Sequence, residues 1–225
     1  MLLGVFVCVA VILAVAGCSR QLPPGQHNNF HAYGVQHASL HLEYFGDTRG
    51  TEDFFEDSAG LREAHGVHSE FVTDEKFQPT STYTVRIGSN ITIVDSVRVV
   101  EVRLTDKTAD SLFHLPADNV PTPEEQFKNF IGKRGFILRG DTSIQASGMS
   151  LKAHVYQSGE QPSYLFEYKG LILGSSNNNE GHITELRLMS IDTISPIDPA
   201  RFVSPHGLPV MDMNKAVRNA PGSQP

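Results

Sequence analysis

Thiols, imidazoles and carboxylates are the side chains through which this chain would do chemistry, and most stand at spacings that serve none. Of the two cysteines, Cys8 lies within an apolar run from Leu2 to Ala16, and Cys18 follows that run directly after Ala16-Gly17. Small residues at the exit of a short apolar core read as a secretory signal. His27, His31, His37 and His41 fall close together, and imidazole is a common metal ligand. Their spacing matches no zinc pattern, and no Cys or carboxylate sits among them, so they read as solvated or strand-face histidines. Asp192 and Asp198 could pair as acid and base, but Asp198 precedes Pro199 and reads as a turn former. His154 and His182 fall in strand patterns where a surface His is ordinary, and Asn90-Ile91-Thr92 fits a glycosylation sequon but reads as a strand edge. There is no G-x-S-x-G, no H-E-x-x-H, no glycine-rich phosphate loop and no Cys pair. The expectation is a protein that is not an enzyme, with no cofactor and no metal.

The apolar run is shorter than the roughly 20 residues a spanning helix needs, so 1–17 is read as a signal peptide. Its end, Val15-Ala16-Gly17-Cys18, resembles the lipobox of bacterial lipoproteins. That resemblance implies cleavage before Cys18, acylation of its thiol and attachment to a membrane facing the periplasm. Ser19 after the Cys implies the outer membrane. No Lys or Arg precedes Leu2, a departure from the usual positive n-region. The alternative is a cut at Ala14-Val15-Ala16 that leaves a soluble exported protein. Under the lipoprotein reading Cys8 is lost and Cys18 carries lipid, so no disulfide is expected. A net charge of -7 argues against a nucleic-acid partner and against electrostatic attachment to anionic lipid, leaving acyl chains to do the anchoring.

The chain is 40% hydrophobic and 19% charged, with 13 Phe and no Trp, as expected of one folded domain. Residues 18–36, with Pro23-Pro24-Gly25, read as a lipidated Cys and flexible tether, 37–210 as the domain and 211–225 as a flexible tail. From Ala38 the pattern has period two: Ala38, Leu40, Leu42 and Tyr44 share one face. Thr51 to Glu56 resumes it with Phe54 and Phe55, Ser58-Ala59-Gly60 turns the chain, and Leu61 to Thr73 returns before Asp74-Glu75-Lys76 and Pro79 break the run. Tyr83, Val85, Ile87, Ile91 and Ile93 alternate with polar residues and read as one strand. Val97 to Leu104 follows, with a bulge expected at Val99-Val100, and Ala109 to Leu115 after a turn at Thr105-Asp106-Lys107. The period changes once. Thr122-Pro123-Glu124-Glu125 is a capping box opening a short helix with Phe127, Phe130 and Ile131 on one face. Further strands are expected at 136–146, 151–157, 164–169, 171–173 and 183–194, with Asn177 to Gly181 as a loop and Asp198 to Phe202 as a tight turn.

Between Tyr164 and Val210 the residues gain a family likeness. Phe166-Glu167-Tyr168-Lys169-Gly170-Leu171-Ile172-Leu173, then Ile183-Thr184-Glu185-Leu186-Arg187-Leu188, Ser190-Ile191-Asp192-Thr193 and Ile197-Asp198-Pro199-Ala200-Arg201-Phe202 resemble the C-terminal half of the LolA/LolB-like superfamily, in particular its members described as domain of unknown function 4412. Tyr44-Phe45-Gly46, Gly60-Leu61-Arg62-Glu63 and Ile91-Thr92-Ile93-Val94-Asp95 agree more loosely. The resemblance implies a mainly β (α+β) fold: a strongly curved, unclosed antiparallel sheet, a half-barrel, with one short helix on its concave side. It brings no catalytic residues.

Two functions follow. In the first, the sheet binds a lipid or acyl-chain ligand, with Leu42, Tyr44, Ile87, Val102, Phe166, Leu186 and Leu188 lining the cavity because each sits on the apolar side of an alternating strand. In the second, the same residues fill a closed core and the protein acts without catalysis on an envelope protein partner. The pattern serves both.

Overall fold

The computed structural model describes residues 32–72, 77–87, 90–94, 99–103, 122–159, 163–179, 181–203 and 209–212. Its elements are β1 (His37–Gly46), β2 (Thr48–Asp57), β3 (Arg62–Val72), β4 (Phe77–Ile87), β5 (Asn90–Val94), β6 (Val99–Arg103), α1 (Pro123–Gly132), β7 (Phe136–Ala146), β8 (Met149–Ser158), β9 (Tyr164–Tyr168), β10 (Leu171–Asn179), β11 (His182–Asp192) and β12 (Val210–Asp212). They form one unclosed sheet of 12 strands in the order β12-β6-β5-β4-β3-β2-β1-β11-β10-β9-β8-β7. Two meanders, β1 to β6 and β7 to β11, are joined where the first strand of one pairs antiparallel with the last of the other. Every ladder is antiparallel except β12 on β6, which is parallel.

The sheet is curved, as the resemblance implies. β7 and β11 are separated by three strands in the ladder, yet they touch. The Ile191 amide donates to Ser147 Oγ at 3.1 Å, so the β7–β8 turn folds back over β11. Turn chemistry supports this shape. Ser147-Gly148 and Lys169-Gly170 each have two successive positive φ angles, the two-residue loop whose twist matches its flanking strands. The helix begins as its sequence dictates. Thr122 Oγ1 accepts from the Glu125 amide at 3.2 Å, and Glu125 Oε2 accepts from the Thr122 amide at 2.9 Å.

Several strand boundaries differ from expectation, each for a local reason. The apparent strand from Tyr83 to Ile93 is a hairpin: β4 ends at Ile87, which pairs with Asn90 at the start of β5. Continuous alternation on both sides of a two-residue loop looks like one strand because a hairpin keeps each side's period. Pro79 does not break the sheet; it lies within β4 opposite Glu70. Among the described residues β4 pairs with β5 from Tyr83 to Ile87, and a Pro is tolerated in a strand where a flank is unpaired. Val99-Val100 forms no bulge, since β6 runs in unbroken register with β5. Asn177 to Asn179 belong to β10 rather than to a loop and pair with Thr184 to His182. The expected turn at 105–107 and strand at 109–115 lie outside the described residues.

Among the described residues, buried side chains form three clusters. The largest joins Ala38, Leu40 and Leu42 with Leu171, Leu173, Leu186, Leu188, Ile191, Ala146, Leu151 and Ala153, so the curl brings residues from β1, β7, β8, β10 and β11 together. A second unites Phe127 and Ile131 of α1 with Tyr156 and Leu165. The third packs Phe202, from the turn after Asp198, on Ala64 and Val85.

Candidate functional site

Of the seven residues expected to line one apolar surface, the structure gathers five. Leu42, Leu186 and Leu188 are buried in the largest cluster, and Tyr44 and Phe166 pack against it. Leu42 sits opposite Leu188, and Tyr44 opposite Leu186, where β1 pairs with β11. Ile87 is elsewhere, 48% exposed at the end of β4. Val102 pairs with Ile91 through the backbone, and its side chain lies outside the described residues. Cys18, the signal segment and the stretch to His31 also lie outside them.

Cross-strand register explains why Ile87 stands apart. Ala38 opposes Glu56, Glu56 opposes Glu63, and Glu63 opposes Arg86, so these share a face. Successive side chains alternate, which puts Val85 and Ile87 on the other side, where Val85 joins Phe202. The face that carries Leu40 and Leu42 on β1 therefore continues as Glu52, Phe54 and Glu56 on β2, Glu63 and His65 on β3, and Thr84 and Arg86 on β4. All but Phe54 in that row are polar and buried.

Two networks hold the row. In one, Arg86 Nε donates to Glu63 Oε2 at 3.1 Å and its Nη2 to the Gly60 carbonyl at 2.8 Å, with a further close ion pair to Glu63 Oε1. Tyr33 Oη donates to Glu63 Oε1 at 2.8 Å. Glu56 lies beside them at 0% exposure, and neither of its carboxyl oxygens has a side-chain partner among the described residues. Burial, reinforced by the Glu63 charge, pushes its pKa up to about 8, with the Gly60 amide offsetting part of the rise. A carboxyl this dry keeps its proton at neutral pH. In the other network His65 Nε2 lies 2.7 Å from Glu52 Oε1, and Tyr44 Oη donates to Glu52 Oε2 at 2.6 Å. Burial raises Glu52, but the His65 charge and the hydrogen bonds from His65 and Tyr44 together hold it below the usual carboxylate range. Glu167, also fully buried, accepts from the Gly170 amide and is raised mainly by burial.

The polar row is what sequence reading missed. Its signal was Glu52 and Glu56, four apart with Phe54 between them on β2, and Glu63 two before His65 on β3, which on a solvated face would have no consequence. Only pairing with β1 shows that this is the buried face. Among the histidines, His37 and His41 sit opposite Asp57 and Asp53 and contact them at 2.9 and 2.7 Å, strand-face partners as expected. Among the described residues no group of His, Cys, Asp and Glu is arranged to hold a metal ion, and no helix is long and apolar enough to cross a membrane.

A second concavity lies at the other end of the sheet. An open cleft of about 640 Å³ runs between α1 and β7, lined by Phe136, Ile137, Leu138 and Tyr156 with Lys128 and Lys133 on the helix side. β7 is the edge strand there, and Ile137 and Leu138 are exposed.

No family model matches the chain, and no curated protein matches its sequence. Among solved structures it is similar to an uncharacterized conserved protein from Thermus thermophilus, at 9% identity and a TM-score of 0.46 over 80% of this chain and 91% of that one. It is similar to MucB at 14% identity and a TM-score of 0.41, over 78% of this chain and 59% of that one. It is also similar to LprF from Mycobacterium bovis at 9% identity and a TM-score of 0.31, over 74% of this chain and 90% of that one.

Proposed function

We propose that the protein is a LolA/LolB-like lipoprotein of the bacterial envelope, anchored through Cys18 and facing the periplasm from the outer membrane, whose curved sheet binds a lipid or acyl-chain ligand. One observation carries this reading. The curl of the sheet draws apolar side chains from five strands, among them Leu42, Leu186 and Leu188, into one surface rather than spreading them along a flat sheet. A surface of that kind accepts an extended apolar chain.

A second reading has its own support. Leu42 and Leu173 are each only 1% exposed, so the chain's own side chains fill the curl as the structure stands. Under that reading the protein serves an envelope complex through surfaces such as the β7 edge and acts without catalysis. Displacement of a fluorescent fatty acid from the mature chain separates the two, read beside thermal melts of Leu186→Arg and Phe166→Arg. Saturable binding that both variants lose, with folding retained in at least one, supports the carrier. No binding by the wild type, with both variants unfolded, leaves the interaction protein.

A further inference from the structure

One part of the apolar cluster does not belong to the sheet. Residues 32–36 precede β1 without regular structure, and Tyr33 and Val35 pack on the cluster from outside the ladder. We propose that this segment is a removable plug, and that the groove beneath it is a binding site for a neutral amphiphile with an apolar body and a hydroxyl donor at one end, such as a monoacylglycerol. The inference rests on the reading that the curved sheet binds a hydrophobic ligand, and it says where and of what class.

The segment bridges two turns that belong to different meanders. The Ala32 amide donates to the Ala59 carbonyl, between β2 and β3, at 2.9 Å, and the Gly34 amide donates to the Lys169 carbonyl, between β9 and β10, at 2.8 Å. Both turns are shaped to let it pass. A Cβ on Gly60 would stand 2.7 Å from Ala32 Cβ, and one on Gly170 would stand 2.6 Å from the Ala32 carbonyl oxygen. Beneath the crossing, the Tyr33 ring meets Phe54 edge-on at 5.8 Å, and its hydroxyl donates to buried Glu63. An apolar body with a donor at its tip thus already fills the groove.

Among the described residues, few bonds hold the plug. Besides the two amides above, Ala59 donates back to Gln36 at 3.3 Å and Tyr33 reaches Glu63. β1, in contrast, is paired along both flanks. A ligand that repeats the contacts of Tyr33 and Val35 displaces the weakest-held part of the cluster. The groove wall selects its class. Glu63 accepts from Tyr33 and is already paired with Arg86, and Glu56 stands opposite Glu63 on the same face. A hydroxyl can replace the phenol as donor to Glu63, whereas a carboxylate has no proton to donate there and would be buried beside Glu63, whose partner Arg86 is already engaged. Release also lengthens the link between Cys18 and β1 by five residues, up to about 17 Å when extended.

The test is titration calorimetry of the mature chain with 1-monolauroylglycerol and with laurate, each below its micellar concentration, together with hydrogen exchange at Ala32 and Gly34. Tyr33→Ala is expected to bind monolauroylglycerol about tenfold tighter than the wild type, whose affinity is reduced by the small fraction of molecules with the plug out. Tyr33→Phe should fall between them, and laurate should bind every form more weakly. In the wild type, ligand should speed exchange at both amides. If Tyr33→Ala does not fold, Tyr33→Phe and the wild-type exchange data decide alone. Wild-type binding with both amides still protected, and no gain in the Tyr33 variants, overturns the plug while leaving the carrier in place with its ligand elsewhere. Laurate bound as tightly as monolauroylglycerol overturns the ligand class. Absence of binding in every folded form overturns the plug and the carrier together.

Discussion

Glu56→Gln should remove most of one steep component from the pH dependence of stability. Glu56 is fully buried on β2, faced by Glu63 across on β3, by Arg86 beyond it on β4 and by Tyr33, with Asp57 next in the chain. Its pKa stands near 8 in the folded chain against an ordinary value of 4.5. A carboxyl raised on folding stabilises fully below its unfolded pKa, and that contribution is lost as pH rises through the folded value. Over this window the loss amounts to about 5 kcal/mol, at about 1.4 kcal/mol per pH unit. A domain has roughly 5 to 15 kcal/mol in all, so this loss is a large fraction of the whole. Gln keeps the shape without a proton to lose, at a pH-independent cost of about 1 to 3 kcal/mol for its unpaired amide. Urea unfolding of both chains between pH 5 and 9 measures it. The wild type should be the more stable at pH 5 and the variant at pH 9. Parallel stability curves across the range would refute the assignment of Glu56 as a buried neutral acid.

Arg86→Met should destabilise the domain by about 3 to 5 kcal/mol in urea unfolding at pH 7, because Glu63 would then be charged and buried without its partner. Thr122→Ala should cost about 1 kcal/mol through loss of the helix cap, read as faster hydrogen exchange in the first turn of α1 with the sheet unaffected. Cys18→Ala should abolish labelling by a palmitate analogue, and a wild-type chain that takes no label removes the anchor. Reductant should leave thermal unfolding of the mature chain unchanged, since only Cys18 is expected to survive processing.

The residues themselves determined what is local. Thr122-Pro123-Glu124-Glu125 specifies a helix start because every contact of a capping box lies within one turn, and the box is present. The alternation from Ala38 to Tyr44 marked β1 and its buried face, since period two needs no partner to be seen. Gly60 stands at a turn by the same logic, because a positive φ is a property of one residue. Partnership was not legible. The split of Tyr83 to Ile93 into β4 and β5 depends on a reversal that leaves the period intact, and Pro79 lies within β4 opposite Glu70 despite its reputation as a strand breaker. The site shows the same division. Leu42 and Leu188 could be assigned to apolar faces one strand at a time, but their meeting required β1 to pair with β11 across most of the chain. Glu52, Glu56, Glu63 and Arg86 carry no sign of burial in sequence, because a charged residue on a strand ordinarily faces water. Stacking β1 to β4 in register put them on the face that β1 buries, and there tertiary structure alone decided their surroundings. Removing a carboxylate from water costs more than its neighbours return, so Glu56 holds its proton, while Glu63 has Arg86 as its ion-pair partner.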